Sequence, residues 1–257
     1  MKIKLTFLGT GTSQGVPVIA CNCPACRSTD EYDKRLRASV LLEIGDIALV
    51  IDAGPDFRQQ MLRANVKRLD GILLTHEHKD HVAGLDDVRA FNYITSEAVK
   101  IYAEKRVQET LRKEYSYAFE EEKYPGVPEF NLQTIDESPF KIAGIDIIPI
   151  RVMHYHLPIL AYKIGNIAYV TDANFIEEKE KEKLRSLDIL IINSVRFEKH
   201  LSHYSVPEVI KLVDELRPKK AYLTHLSHQI GLHRDIQEKL PANLSAAYDG
   251  LSLDIEC

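Results

Sequence analysis

Apolar and polar positions along the chain fall into short runs that switch repeatedly between the two-residue period of a strand and the longer period of a helix. Met1 to Gly9 alternates and predicts a strand. Ser39 to Ile44 and Ile47 to Ile51 flank Gly45-Asp46 and predict a hairpin. Asp52-Ala53-Gly54 ends its second strand, and Pro55 opens a helix through Asn65. After the apolar run Gly71 to Leu74, Gly84 to Ser96 and Lys105 to Phe119 read as helical, separated by a strand at Val99 to Ala103. Glu120 to Pro128 is acidic and then turn-like, with a lip over the functional site or a solvated surface loop as its two readings. The second half repeats the layout: strands near 141–150 and 160–171, a helix over about 176–186, a buried strand from Leu187 to Ile192, and a helix from Val206 to Leu216. A strand at 220–224, a helix near 233–239 and strands near 243–247 and 251–255 complete it. Each half is strands followed by helices, which predicts a mixed α/β class. No linker or low-complexity segment divides the chain, so residues 1–257 are expected to form one domain.

Charge and composition narrow the function. A net charge of -5 speaks against a surface built to grip nucleic acid, although a local phosphate pocket remains compatible with it. The N-terminus carries neither a signal-peptide apolar core nor a small-residue cleavage site, and no long apolar run follows, so a cytoplasmic protein away from membranes is expected. Three of the four cysteines, Cys21, Cys23 and Cys26, are crowded together. In a reducing compartment that crowding points to metal rather than disulfide. Three thiolates need a fourth ligand for a closed structural zinc, and the candidate is His228 in Thr224-His225-Leu226-Ser227-His228.

The densest chemistry is Thr75-His76-Glu77-His78-Lys79-Asp80-His81, directly after an apolar strand. In an extended loop alternate side chains share a side, so His76 and His78 can converge on one cation while Asp80 and His81 turn toward a second. Imidazole with carboxylate suits zinc, manganese or iron. The metalloprotease helix signature is excluded, because its second histidine position is occupied by Asp80.

His-x-His-x-Asp-His after a hydrophobic strand resembles the metallo-β-lactamase fold hydrolases, and further stretches match in order. Met153-His154, Thr171-Asp172-Ala173-Asn174 and Thr224-His225 each follow a strand-like run. The resemblance implies an αββα sandwich. It also implies a dinuclear centre of two divalent ions, Mn2+ or Zn2+, held by His76, His78, Asp80, His81, His154, Asp172 and His225, with Asp172 bridging. Cys21, Cys23, Cys26 and His228, with the Gly9-Thr10-Gly11-Thr12-Ser13 loop, resemble the branch of cyclic phosphodiesterases related to the phosphoribosyl cyclic phosphate enzyme, in which a Cys3His site holds structural zinc. His156 stays open as an alternative to His154, though the family pattern favours His154. His203 resembles the branch's substrate-phosphate or general-acid histidine, with His200 as runner-up and a surface position as the alternative for both. His233 gives no signal. Asp52 either supports the metal loop or caps the following helix, and the Gly9 to Pro17 loop is either a structural turn or a ligand contact.

The implied activity is hydrolysis of a small cyclic or other phosphodiester by a metal-bridging hydroxide, with Asp80 and His203 catalytic and His203 or His200 binding substrate. A tRNA 3′-processing ribonuclease and a glyoxalase-type thioester hydrolase use the same ligands. The acidic balance and the lack of a basic arm disfavour the first, and β-lactam cleavage ranks last. A metal-binding module without catalysis is the reading from another class. A homodimer stays open.

Overall fold

Sequence order sorts the strands into two sheets. The structure, a computed structural model, describes residues 2–256. The first sheet takes β1 (Lys2–Gly9), β2 (Ser39–Ile44), β3 (Ile47–Ile51), β4 (Gly71–Leu73), β5 (Val99–Ala103) and β6 (Phe130–Thr134). The second takes β7 (Phe140–Ile142), β8 (Ile145–His154), β9 (Leu157–Ile164), β10 (Ile167–Val170), β11 (Ile189–Asn193), β12 (Lys220–Thr224) and β13 (Leu244–Ala246). β14 (Ser252–Glu256) returns to pair with β1, giving each sheet seven strands. Both begin with antiparallel pairs and continue with parallel ones, from β3 to β6 and from β10 to β13.

Three apolar layers follow from strands buried on both faces. Leu5, Phe7, Leu42, Ile51 and Leu73 of the first sheet meet Leu160, Tyr162, Tyr169 and Ile191 of the second in the middle. Outside the first sheet, Leu41, Val50, Ile72 and Ile101 pack against α2 (Phe57–Arg63), α3 (Lys79–Val82), α4 (Arg89–Thr95) and α5 (Lys105–Glu114) through Phe57, Met61, Val82, Phe91, Val107 and Leu111. Outside the second, Val152, Val170, Leu190 and Ile192 pack against α7 (Val206–Leu216) and α8 (His233–Gln237). Two short helices complete the set, α1 (Pro24–Arg27) in the cysteine loop and α6 (Glu178–Lys181) after β10. The architecture is the αββα sandwich expected from the resemblance. The apolar stripe of α7 drives its docking, and its start is fixed by a capping box of Ser205 and Glu208 with Pro207 in the first turn.

Several boundaries differ from the sequence reading. The run at 160–171 is two strands, because Gly165 and Asn166 turn the chain with Gly165 at φ +56°. The run near 141–150 is likewise split into two strands by a tight hairpin at Ala143 and Gly144, whose φ values are +48° and +85°. The helix over 105–119 stops at Glu114 and resumes as a turn at Ser116–Ala118, where Tyr115 is buried and its hydroxyl donates to Val82 O at 2.8 Å. Glu120 to Pro128 does not form a lip. It feeds the N-terminal end of β6, which runs parallel to β5 and β4, and is therefore at the opposite end of that sheet from the His76 loop. No helix among the described residues is long and apolar enough to cross a membrane.

Candidate metal centre

Every candidate ligand of the cluster ends or follows a strand, and those strands end on one edge of the sandwich. β3 delivers Asp52, β4 the His76 to His81 segment, β8 His154, β10 Asp172 and β12 His225. Backbone strain occurs here: Asp52, Asp172 and His225 have φ of +65°, +58° and +55°, the left-handed region that costs non-glycine residues energy. Such turns point side chains off the strand ends. Neighbouring segments hold them there, as Asn193 does by accepting from Ala173 N at 2.8 Å and donating to Ala173 O at 2.9 Å.

Only part of the metal motif is extended. His78 is the N-cap of α3, so Asp80 and His81 project from the first turn of a helix. That helix docks on Ala53-Gly54, with Ala53 N donating to His81 O at 2.8 Å and Gly84 N to Ala53 O at 2.9 Å. Gly54 and Gly84 are required by this approach. A Cβ would lie 2.0 Å from Asp80 O at the first and 2.0 Å from Gly54 O at the second.

The structure brings His76, His78 and His154 together as one donor group and Asp80, His81, Asp172 and His225 as another, with the ligand atoms of each within 4.8 Å of one another. Asp172 belongs to both neighbourhoods, because its carboxylate is also within 4.8 Å of His154 and His203 ring nitrogens. Its Oδ1 is 3.3 Å from His81 Nε2 and 3.3 Å from His225 Nδ1. Asp80 Oδ2 is 3.2 Å from His81 Nε2. His156 is exposed against Tyr155, with ring centroids 3.7 Å apart, so of the two alternatives His154 faces the cluster.

Outer contacts orient these rings. His154 Nδ1 donates to Ser202 O at 2.9 Å, and Thr75 Oγ1 engages His76 Nδ1 at 3.0 Å, which leaves Nε2 of His76 facing His78 Nδ1 at 2.9 Å. His81 Nδ1 donates to Asp52 Oδ2 at 2.7 Å, and Asp52 also accepts from Thr75 N at 2.9 Å. Of the two readings of Asp52, the structure shows support of the loop. The helix it was set to cap begins after Asp56 without a side-chain cap. Thr75, Asn193 and the Ser202 carbonyl carried no assigned role in the sequence, since their partners lie in other strands.

Electrostatics fit a cation. Burial, aided by the His81 charge, holds His76 well below the usual imidazole range, and burial also lowers His78 and His225. Burial opposes charge on His81, but Asp172, Asp52 and Asp80 outweigh it and hold His81 well above that range. Burial would raise Asp172, yet His225 and His81 keep it ionised, well below the usual carboxylate range. Nε2 of His81 and Nδ1 of His225 are buried without a hydrogen-bond partner. Neutral imidazoles at His76, His78 and His225, an ionised Asp172 and a His81 proton that a bound ion would displace fit the donor set a divalent ion takes.

Cys21, Cys23, Cys26 and His228 form a second group within 4.8 Å, with His228 Nδ1 3.2 Å from Cys21 Sγ and 3.4 Å from Cys23 Sγ. The three thiols are free. The backbone N–H of Cys26 and then His228 bring Cys23 down to about 6 against its burial, whereas burial pushes Cys26 up to about 11. Three sulfurs and one imidazole suit zinc. This group ties the loop of α1 to the segment that carries His225, three residues before His228.

Beside His225 opens a cavity of about 230 Å³ lined by Thr12, Ser13, Gln14, His200, His203 and Gln229, among others. The Gly9 to Pro17 loop therefore borders the site. Leu226 N donates to Thr10 O at 2.8 Å and Thr12 N to Leu226 O at 3.3 Å, which fixes the loop against the His225 turn. Burial pulls His203 down to about 3, and its Nδ1 has no hydrogen-bond partner and lies 3.9 Å from Asp172 Oδ2. His200 Nδ1 accepts from Ser202 N at 3.3 Å, so its proton is on Nε2.

Fold and donor set together define a class. The model of the β-lactamase superfamily domain matches residues 48–226, and the chain belongs to that superfamily of metal-dependent hydrolases. It is similar, more particularly, to the crystal structure of a diphosphatase from the PhnP family, at 36% identity and a TM-score of 0.93 over 99% of this chain and 98% of that one. This match bears out the resemblance to the cyclic phosphodiesterase branch. Zinc-bound PqqB of Methylobacterium extorquens shares the fold at a TM-score of 0.78 and 17% identity, over 98% of this chain and all of that one. Among curated proteins, an octanoyltransferase of Porphyromonas gingivalis is 42% identical over 258 residues, covering 99% of this chain and 52% of that protein. The chain thus spans about half the length of that relative.

Proposed function

We propose that the chain hydrolyses small phosphodiesters, cyclic ones included, with two divalent ions at the histidine and aspartate cluster and a structural zinc at the three cysteines and His228. The observation that carries this reading is the buried Asp172 carboxylate, which lies in one donor group and within reach of His154 of the other, with His225 beside it lining a polar cavity. Two ions held there would supply Lewis acidity toward water and toward the phosphoryl oxygens. His76, His78 and His154 would hold one, and Asp80, His81 and His225 the other, with Asp172 shared. The similarity to a diphosphatase supports a phosphoryl substrate.

The chain's own groups orient that substrate. Asp52, Thr75 and the Ser202 carbonyl fix the ring orientations of His81, His76 and His154 before substrate arrives. Thr12, Ser13, Gln14 and Gln229 offer hydroxyl and amide groups along the cavity for the part of the substrate that does not react. His200 presents its Nε2 proton as a donor. His203 is buried and neutral, and so donates one N–H to a phosphoryl oxygen. It becomes an acid for the departing alkoxide only when the negative charge of a bound diester holds a second proton on the ring. Asp80, beside His81, serves as ligand and acceptor on the other side.

The test is a screen of the metal-loaded chain against cyclic phosphates, dinucleotides, an acyl thioester and a β-lactam. The thioester arm covers the glyoxalase-type alternative and the acyl-transfer name of the longer relative, and a tRNA precursor covers the ribonuclease alternative. Turnover highest on cyclic or small diesters is expected. Preference for the thioester or the tRNA would replace the reading.

A further inference from the structure

Outside the donor groups, one cation touches both of the pieces that bring three histidines together. Arg106 lies in the first turn of α5, where the helix dipole disfavours positive charge. Its Nη1 donates to Glu77 Oε1, and Glu77 stands between His76 and His78. Its Nη2 donates to Pro158 O at 2.9 Å, and Pro158 pairs with Met153 on the hairpin where His154 pairs with Leu157. One planar fork therefore spans the first sheet's metal loop and the second sheet's histidine hairpin. Glu104 extends the connection. It is 3.8 Å from Arg106 and takes both Nη groups of Arg151, at 2.9 and 2.6 Å, and Arg151 is on β8 three residues before His154.

An exposed ladder of charges contributes little. This one is partly withdrawn from water: the Arg106 side chain is 36% exposed, but its partners Glu77 and Glu104 are 20% and 19% exposed and Arg151 is 16% exposed. The Arg151 to Glu104 contact has the paired geometry of the strong arginine–carboxylate interaction. The direct links between the same two pieces, Leu160 N to Thr75 O at 3.1 Å and the Tyr162 hydroxyl to Leu74 O at 2.6 Å, fix the base of the metal loop and end before His76.

We propose that Arg106 is a positioning residue for the His76, His78 and His154 group, setting the separation of two imidazoles from one sheet and one from the other. The proposal rests on the metal reading given above. Asp80, His81 and His225 draw on no contact of Arg106, but Asp172 couples the two groups, so the separate cysteine-bound zinc is the control and the second cluster ion should weaken less than the first.

The full chain is stripped of metal, reloaded with Zn2+ under a competing chelator, and its bound zinc measured by elemental analysis alongside thermal unfolding. In Arg106→Ala, one cluster ion is expected to bind about 10-fold or more weakly, the usual cost of losing an outer contact, with a smaller loss at the other ion through the shared Asp172 and the cysteine-bound zinc essentially unchanged. In a His78→Ala background, where that group is already broken, adding Arg106→Ala should leave the remaining affinities as they are. Arg106→Lys should recover only part of the loss, because a lysine can meet Glu77 or Pro158 O but lacks the fork. Unchanged zinc affinities in Arg106→Ala overturn the proposal, and so does an equal loss at every site. A wild-type chain that binds no cluster ion overturns the metal reading itself, and that failure is visible before any substitution is made.

Discussion

Replacing Asp52 by alanine removes a buried acceptor on which three donors converge. Thr75 N lies 2.9 Å from Oδ1, and Thr75 Oγ1 and His81 Nδ1 lie 2.9 and 2.7 Å from Oδ2. Asp52, Thr75 and His81 are all fully buried, so bulk solvent does not reach the orphaned donors. Each orphaned donor costs about 1 to 3 kcal/mol, and the sum is reduced by no longer burying Asp52, whose own pKa burial raises against the pull of His81 and Thr75. Breaking a buried charge pair from one side costs about 3–5 kcal/mol, which is the expected loss of unfolding free energy for Asp52→Ala. Asp52→Asn keeps one acceptor and tolerates φ of +65°, so it should lose less stability. It no longer fixes the His81 ring as a carboxylate does, so zinc affinity at the cluster should fall about 10- to 100-fold. Urea unfolding of the metal-free chain measures the first effect and chelator competition the second. Stability of Asp52→Ala within about 1 kcal/mol of wild type would refute the reasoning, since even one orphaned buried donor costs that much. Full zinc affinity in Asp52→Asn would refute it as well.

Cys23→Ser should bind one fewer zinc and unfold at lower temperature, while the molecules that remain folded keep their turnover; an unchanged metal count contradicts the structural zinc. His203→Ala should keep its metals and lose about 10²- to 10⁴-fold on an alkyl diester, with a much smaller loss on a nitrophenyl diester if the histidine acts as an acid. Equal losses on both substrates assign it to phosphate binding, and no loss removes it from the site. For the metal-free chain, His76, His78, His203 and His225 are held below the unperturbed value of 6.5, so the unfolded chain takes up more protons as pH falls below that value and stability is lost on the acid side. His81 is held above 6.5, so its contribution is full below that pH and is lost as pH rises through its folded value. Thermal unfolding with chelator should therefore show a stability maximum near pH 6.5, the common unfolded value of these histidines, and zinc should move it upward by displacing the His81 proton. A monotonic rise in the metal-free chain contradicts these assignments.

Much of the scaffold was legible because its strands are apolar on both faces or bounded by glycine turns. Ser39–Ile44, Ile47–Ile51, Val99–Ala103, Val206–Leu216 and Lys220–Thr224 have the bounds their patterns predict. The division into two sheets was not legible from periodicity, since an apolar run such as Ile167–Val170 does not show which layer each face meets, and it came from the resemblance. Breaks inside continuous patterns were also hidden. Tyr115 ends α5 through a hydrogen bond to Val82, 33 residues away. The candidate ligands stood out because histidine and aspartate at successive strand ends are rare. Their supports did not: Asn193, Thr75, Glu77 and Arg106 are ordinary polar residues until folding places their partners. His154 and His156 are equivalent by type; the family pattern favoured His154, and the turn at Tyr155, with φ of +57°, shows why the two diverge.

The central claim is that one carboxylate serves two ions during diester hydrolysis, and Asp172 tests it most directly. Asp172→Ala, with Asp172→Asn as the variant that tolerates φ of +58°, is compared with wild type for cluster zinc by elemental analysis and for turnover of a cyclic diester in the same preparations. Metal and activity are predicted to fall together in both variants while the cysteine-bound zinc stays. Full turnover with two cluster ions still bound would contradict the account.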